Sequence, residues 1–355
     1  MSKLNQAPES FTFDDFTLEL LYSTVSSRKD PDISLSSGKV MMNIPVYSSP
    51  MNTVTESAMI KTMLEVGGAA VLHRYMSIQD QIDIVNEIHN LDDLSFGYQH
   101  MDRVFVSVGS KDITERVNRL IEAGVRSFCV DVANGHAQGC IDAVKTIRAK
   151  GDNLTIMAGN VCSYDGAIRL ADVGTDIVRV GVGGGSVCTT RVVTGHGVPQ
   201  LTAIEECSKV KDKYSDLVIL ADGGIRGSGD IVKALAIGAD AVMLGSLLAG
   251  TDSTPGETHR DPDTGATYKY YHGMASTKGR GTWFNTSKTN YVPEGESTRM
   301  PCKGDTKEIV DNLMGGLRTG MSMSGALNLR ELRERAVWRR VSSSSVIEAT
   351  PHGKR

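Results

Sequence analysis

Cys188 stands in the stretch Gly181 to Gln200, GVGGGSVCTTRVVTGHGVPQ, where glycines, hydroxyls and Arg191 crowd around a single thiol. The run ahead of it, Asp176-Ile-Val-Arg-Val180, is β-branched and ends in glycines, which predicts a buried strand opening into a loop. Glycine lets the backbone approach a ligand and aim N–H or C=O groups at it, so such a loop can hold an anion, a cation or both. A thiol at the lip of that loop, with hydroxyls and a cation a few positions away, has the surroundings of a nucleophile. The competing reading is a small buried hydrophobe, which is what most free cysteines are.

A second set of positions points to a phosphate. Asp222-Gly223-Gly224 and Leu244-Gly245-Ser246 are short glycine turns that directly follow β-rich runs. Backbone N–H groups at turns near the last two strands of an α/β barrel commonly seat a phosphate. An ionised Asp222 beside them suits hydrogen bonds from ribose hydroxyls.

These positions need a frame, and the chain repeats one. Apolar β-rich runs at Asn43 to Met51, Ala69 to Leu72, Val104 to Val108, Phe128 to Val132, Leu154 to Ala158, Ile177 to Gly181, Leu217 to Ala221 and Ala241 to Leu244 alternate with stretches of helical spacing. Ile113 to Ala123, Cys140 to Lys150, Ala167 to Val173 and Ile231 to Ile237 are such stretches. Eight alternating units predict an α/β protein, a closed (β/α)8 TIM barrel in a single domain. An open doubly wound sheet would carry a dinucleotide fingerprint after its first strand, and Ser48-Ser-Pro-Met51 is not one. Chemistry in barrels gathers at the C-terminal strand ends, and Met51, His73, Asp131, Asn160, Cys188, Asp222 and Gly245 each follow a run. Any one of them alone also fits a structural cap or turn.

Composition narrows the class. The chain has 355 residues and a net charge of −4, with basic and acidic residues interspersed, so no nucleic-acid surface is expected. The cysteines at 129, 140, 162, 188, 207 and 302 form no CxxC pair, and neither a signal peptide nor a membrane-length apolar span is present. The expectation is a cytoplasmic small-molecule enzyme that touches no membrane. Residues 1–10 and 342–355 read as polar tails around a barrel over 11–341. Thr251 to Glu296, rich in Gly, Thr, Ser, Asp and Lys and poor in periodicity, reads as a flap over the site. Lys307 to Arg318 and Leu327 to Val337 are helical in pattern.

The run GGGSVCTTR followed by TGHGVPQ resembles the active-site loop of the inosine monophosphate dehydrogenase and guanosine monophosphate reductase family. The resemblance extends through Ser49-Pro-Met51, Met157-Ala-Gly-Asn-Val161, Leu220-Ala-Asp-Gly-Gly224, Met243-Leu-Gly-Ser246, Tyr271-His-Gly-Met274, Glu294-Gly295 and Gly315-Gly-Leu-Arg-Thr-Gly-Met321, and covers Phe11 to about Val341. It implies that the opening segment, Phe11 to Leu18 and Tyr22 to Arg28, wraps the barrel ahead of the first strand. Dehydrogenases of the family usually carry a pair of regulatory CBS modules after the second strand. The stretch from His73 to Val104 is too short for that insert, as in reductases and some dehydrogenases.

The family implies a covalent adduct between Cys188 and purine C2. In the dehydrogenase, an Arg-Tyr pair on the flap then activates water; a reductase must keep water from its adduct. Here Thr282-Trp283 falls roughly where that pair would lie, with Arg280 as the one residue that could stand in. Val132-Ala-Asn-Gly-His136 and Met157-Ala-Gly-Asn160 are reductase-like. Ser48-Ser-Pro-Met51-Asn-Thr-Val-Thr, Arg74 and Val292-Pro-Glu-Gly295 lean towards the dehydrogenase, while Asn52 replaces the usual aspartate of that motif. The resemblance therefore implies an NADPH-dependent GMP reductase, with a CBS-less IMP dehydrogenase or a non-catalytic nucleotide-binding barrel as alternatives. Cys188, Thr190 and Glu294 would be catalytic. Asp222 would hold the ribose; Ser49, Ser186, Gly224, Gly245, Ser246 and Tyr271 the phosphate; Met51, Gly273 and Met274 the base. Asp131 and Asn160 would face the nicotinamide or orient the cysteine loop, and carbonyls of Gly183, Gly185 and Cys188 would ring a potassium ion. A homotetramer is implied likewise.

Overall fold

Side chains alternate across a strand, so each β-rich run must bury one face inside a closed sheet and the other beneath helices. The computed structural model, which describes residues 6–91, 100–281 and 292–349, has this arrangement. Its barrel strands are β1 (Val46–Ser48), β2 (Ala69–Leu72), β3 (Val104–Val108), β4 (Ser127–Asp131), β5 (Thr155–Val161), β6 (Ile177–Val180), β7 (Val218–Asp222) and β8 (Ala241–Leu244). All pair in parallel in chain order, and β8 closes the ring on β1. The expected (β/α)8 TIM barrel is the observed fold, with no inserted module.

Inside the ring, Tyr47, Phe105, Cys129, Met157, Ile177, Val218, Leu220 and Met243 form one core. Their neighbours one step along, such as Val104, Val106, Ile219 and Ala221, pack outward against the helices in a second core. Full burial of an aliphatic or aromatic side chain contributes roughly 1.5–3 kcal/mol, so two concentric layers anchor every strand from both sides. A hairpin, Leu35–Ser37 with Val40–Met42, closes the barrel floor, its turn made possible by Gly38 at φ +54°. The first strand is shorter than the run Asn43 to Met51 because Pro45 and Pro50 flank it and carry no N–H for the ladder.

The opening segment does wrap the barrel. Phe16–Leu18 pairs antiparallel with Trp338–Arg340, and Lys233 Nζ donates to Phe13 O at 2.8 Å from the helix Ser228–Ile237. The helices Thr306–Met323 and Leu329–Arg335 fill the expected C-terminal positions.

Two stretches hold short regular elements that their sequence does not mark. Within Thr251 to Glu296, His259–Arg260 and Thr267–His272 join Ser297–Pro301, just beyond the segment, in an antiparallel sheet, and the helix Thr277–Gly281 lies between the last two strands. The strand Thr267–His272 hides its period because Lys269 points inward, its ammonium bound to Thr251 O and Thr254 O, while Tyr270 points outward. In the polar C-terminal stretch, Ser344–Glu348 is helical. Residues 282–291, with Thr282-Trp283, and the outer ends of both tails lie outside the described residues.

Candidate active site

The C-terminal ends of the strands gather most of the residues singled out in the sequence. A cavity of about 80 Å³ opens between the ends of β1, β7 and β8. It is lined by Ser49, Met51, Ser186, Asp222, Gly224, Gly245, Ser246 and Tyr271, leaving out only Gly273 and Met274 of the expected substrate residues. Gly185, Gly223, Ile225 and Met243 line it too, without having been assigned to substrate. Ser49 Oγ is buried there and, among the described residues, has no hydrogen-bond partner, which points to an oxygen supplied by a ligand. Glycine at 245 keeps the cavity open: a Cβ there would sit 3.1 Å from Ser49 Oγ and 3.2 Å from Tyr271 OH. Burial pushes the Tyr271 phenol up, while a hydrogen bond with Ser186 pulls it the other way.

Met51 and Met274 meet beside this cavity. Tyr271 OH approaches Met51 Sδ at 3.7 Å, and Asn52 N donates to Met274 Sδ at 3.4 Å. Two polarizable thioethers here offer a soft wall suited to a flat ring.

The cysteine loop rises from β6 and is strapped to the flap. Cys188 pairs with Gly295 in a β-bridge; Thr189 N donates to Glu294 O at 3.1 Å and Glu296 N to Val187 O at 2.9 Å. Gly273 N continues the contact through Glu296 O at 3.0 Å. Cys188 is half-buried and its Sγ lies 3.2 Å from Thr190 Oγ1, at the start of the helix Thr190–Thr194. Backbone pairing thus brings Cys188, Thr190 and residue 294 into one place from distant parts of the chain.

Arg191 is held by backbone carbonyls. Its Nε donates to Val182 O at 3.0 Å and its guanidinium to Val198 O at 2.6 Å, so it staples the two ends of the loop. Gly183 and Gly197 lie against the same side chain with φ of +74° and +148°, a conformation and a closeness that exclude a Cβ.

Asn160 reaches both the foot of the cysteine loop and Asp222. The ladder slips between Gly159 and Val161, and Asn160 Nδ2 donates to Gly181 O and to Asp222 Oδ2, both at 2.8 Å. Asp131 meets Arg179 at 2.7 Å, with Arg74 Nε at 3.0 Å from its carbonyl. His73, one of the strand-end candidates, is structural: it is 2% exposed, with Nε2 3.2 Å from Glu56 and Nδ1 accepting from Tyr75 N.

Sequence reading missed Arg179 and Gln200. Arg179 is buried within β6 and bridges Asp131 and Asp222; a cation inside the apolar run Ile-Val-Arg-Val was its signal. Gln200 Nε2 donates to Val180 O at 2.8 Å and reaches Asp222 O at 3.4 Å, joining two strand ends, and nothing in its local sequence marked it.

The potassium expectation can be tested against oxygen supply. Gly185 O accepts from Cys188 N at 3.1 Å, while among the described residues Gly183 O and Cys188 O accept no hydrogen bond. Those carbonyls suit a hard cation. No cluster of His, Cys, Asp and Glu able to hold a metal occurs among the described residues, and no described helix is long and apolar enough to cross a membrane.

A family model described as IMP dehydrogenase / GMP reductase domain matches residues 10–352. The chain is 37% identical to inosine-5'-monophosphate dehydrogenase of Cryptosporidium parvum over 97% of this chain and 95% of that protein. It is 34% identical to the Bacillus subtilis (strain 168) protein of the same name, over 97% and 96%. That second alignment spans 470 positions against the 355 residues here, so the relative carries sequence this chain lacks. The crystal structure of GMP reductase from Trypanosoma brucei in complex with guanosine 5'-monophosphate matches with a TM-score of 0.89 at 29% identity, covering 99% of this chain and 100% of that one.

Proposed function

The chain belongs to the IMP dehydrogenase / GMP reductase family of oxidoreductases, and from that premise we propose that it is a GMP reductase, converting GMP to IMP and ammonia at the expense of NADPH. One observation carries the direction of the reaction: between Gly273 and Glu294 the sequence holds no Arg-Tyr pair to activate water, and Thr282-Trp283 stands there instead. The full-length likeness to a reductase solved with GMP supports the same reading.

In this reading Cys188 Sγ, as thiolate, adds to C2 of the guanine ring. Thr190, 3.2 Å from the sulfur, and Glu294, whose backbone is bonded to Thr189, deliver the proton with which the 2-amino group leaves as ammonia. A nicotinamide nucleotide held on the Asp131 side would supply hydride at C2. Departure of the thiolate then restores Cys188 and releases IMP. Asp222 holds the ribose and the turns at Gly224 and Gly245 to Ser246 the phosphate, while Asp131 faces the nicotinamide side and Asn160 ties the cysteine loop to Asp222. A potassium ion bound through carbonyls of Gly183, Gly185 and Cys188 would brace the loop. Assembly as a cytoplasmic homotetramer is part of the proposal and rests on the family resemblance alone.

IMP dehydrogenase is the second reading, favoured by the names of the relatives at 34–37% identity. Two mixtures separate the readings: GMP with NADPH, and IMP with NAD, each followed through the absorbance of reduced nicotinamide. Loss of absorbance only in the first is the expected result. A gain only in the second, with xanthosine monophosphate as product, would overturn it.

A further inference from the structure

One guanidinium joins three strands, and an amide on a fourth binds the same carboxylate. Arg179 on β6 is 5% exposed, and its two terminal nitrogens donate to Asp131 Oδ1 on β4 at 2.7 Å and to Asp222 Oδ2 on β7 at 2.8 Å. Asn160 on β5 donates to that same Asp222 Oδ2 at 2.8 Å. Two fixed donors thus converge on one oxygen, while among the described residues no hydrogen bond reaches the sister oxygen, Oδ1. Rotating the carboxylate would break both bonds at once in a site only 17% exposed. Asp222 also lines the cavity.

We propose that Arg179 is a positioning residue that, with Asn160, locks Asp222 so that Oδ1 is presented as a fixed acceptor for sugar hydroxyls, and that this lock makes the site select ribonucleotides over 2'-deoxyribonucleotides. The proposal rests on the purine-nucleotide reading above and is independent of which way hydride moves. An oxygen with two lone pairs suits two adjacent hydroxyl donors, and only ribose offers them. An acceptor that is already fixed loses no freedom on binding, so a missing hydroxyl is felt in full. A mobile carboxylate would turn to recover the loss.

Calorimetric titration of the full chain with GMP, 2'-deoxy-GMP, IMP and 2'-deoxy-IMP tests this. The unmodified protein is expected to bind each ribonucleotide about tenfold to a hundredfold more tightly than its deoxy counterpart, the scale of one hydrogen bond to a charged group. Arg179→Lys keeps the charge but loses the fork that reaches both carboxylates. It is expected to lower the ribose-to-deoxyribose ratio by about tenfold, with the loss falling on the ribonucleotide. Asn160→Ala, which removes the other donor, shifts the ratio the same way and decides the matter should Arg179→Lys fail to fold. A ratio near one in the unmodified protein overturns the proposal. So does an unchanged ratio in a folded variant whose affinity for both sugars falls together, the pattern of a merely structural residue. Failure of all four nucleotides to bind overturns the purine-nucleotide reading and takes the proposal with it, whereas failure of NADPH oxidation alone leaves the measured ratio standing.

Discussion

Cys188 Sγ lies 3.2 Å from Thr190 Oγ1, in a loop held against Gly295 by backbone pairing. The hydroxyl is therefore placed to pass a proton in the immediate neighbourhood of the sulfur. Cys188→Ala is expected to abolish turnover while nucleotide binding survives. Thr190→Ala should lower kcat by about 10²–10⁴ with little change in nucleotide KM, the range for losing a general acid or base. Substantial turnover by Cys188→Ala would remove the nucleophile from the scheme.

Burial separates the thiols. It pushes Cys129 up to about 11, against the pull of Arg179, and Cys140 up to about 12; Cys207 is raised further still by the same cause. Iodoacetamide near pH 8 should therefore spare these three, modify half-buried Cys188, and abolish activity in step with that modification. Peptide mapping by mass spectrometry reads the order, and bound GMP should protect Cys188. Inactivation that tracks Cys129 instead would count against the assignment.

Gly245 leaves room at the mouth of the cavity, where an added Cβ would lie 3.1 Å from Ser49 Oγ. Gly245→Ala is expected to weaken nucleotide binding by about tenfold or more, equivalent to about 1.4 kcal/mol, without lowering the melting temperature appreciably. Unchanged nucleotide affinity would place the phosphate elsewhere.

His272 ends the central strand of the flap sheet, buried, and among the described residues neither ring nitrogen has a partner. Burial, and after it the charge of Lys278, holds this imidazole below its ordinary value of 6.5. The unfolded chain therefore takes up the proton first as pH falls, and bound protons favour unfolding. Stability should be full above pH 6.5 and decline as pH falls through that value towards the lower folded one. Thermal midpoints across this range should show a shallower decline in His272→Gln. An identical slope in the variant would exclude His272 as the cause.

Tyr47 OH is buried inside the barrel without a partner among the described residues. Removing a stranded hydroxyl relieves its desolvation cost, so Tyr47→Phe should stabilise the fold by about 1 kcal/mol. Denaturant midpoints measure it, and a loss of stability would reveal a hidden partner.

Much of this architecture was legible in the sequence because barrel strands announce themselves twice, by apolar runs and by the small or polar residue that ends each one. The run ending at Val180 and the glycines after it located the cysteine loop, and Asp222 to Gly224 with Gly245 to Ser246 located the cavity. The sheet around Thr267–His272 escaped because its inward face carries Lys269, whose ammonium is satisfied by carbonyls, so no hydrophobic period marks the strand.

Sequence by itself determined which side chains can do chemistry, since a thiol, a hydroxyl and glycine turns are fixed by residue type. Tertiary structure alone decided who holds whom. Arg191 binds two loop carbonyls, and Arg179, unremarked among β-branched neighbours, became the link between Asp131 and Asp222. The reason is physical. A buried guanidinium must find acceptors wherever ring closure places them, and that partnership spans strands distant in sequence, where no local pattern records it.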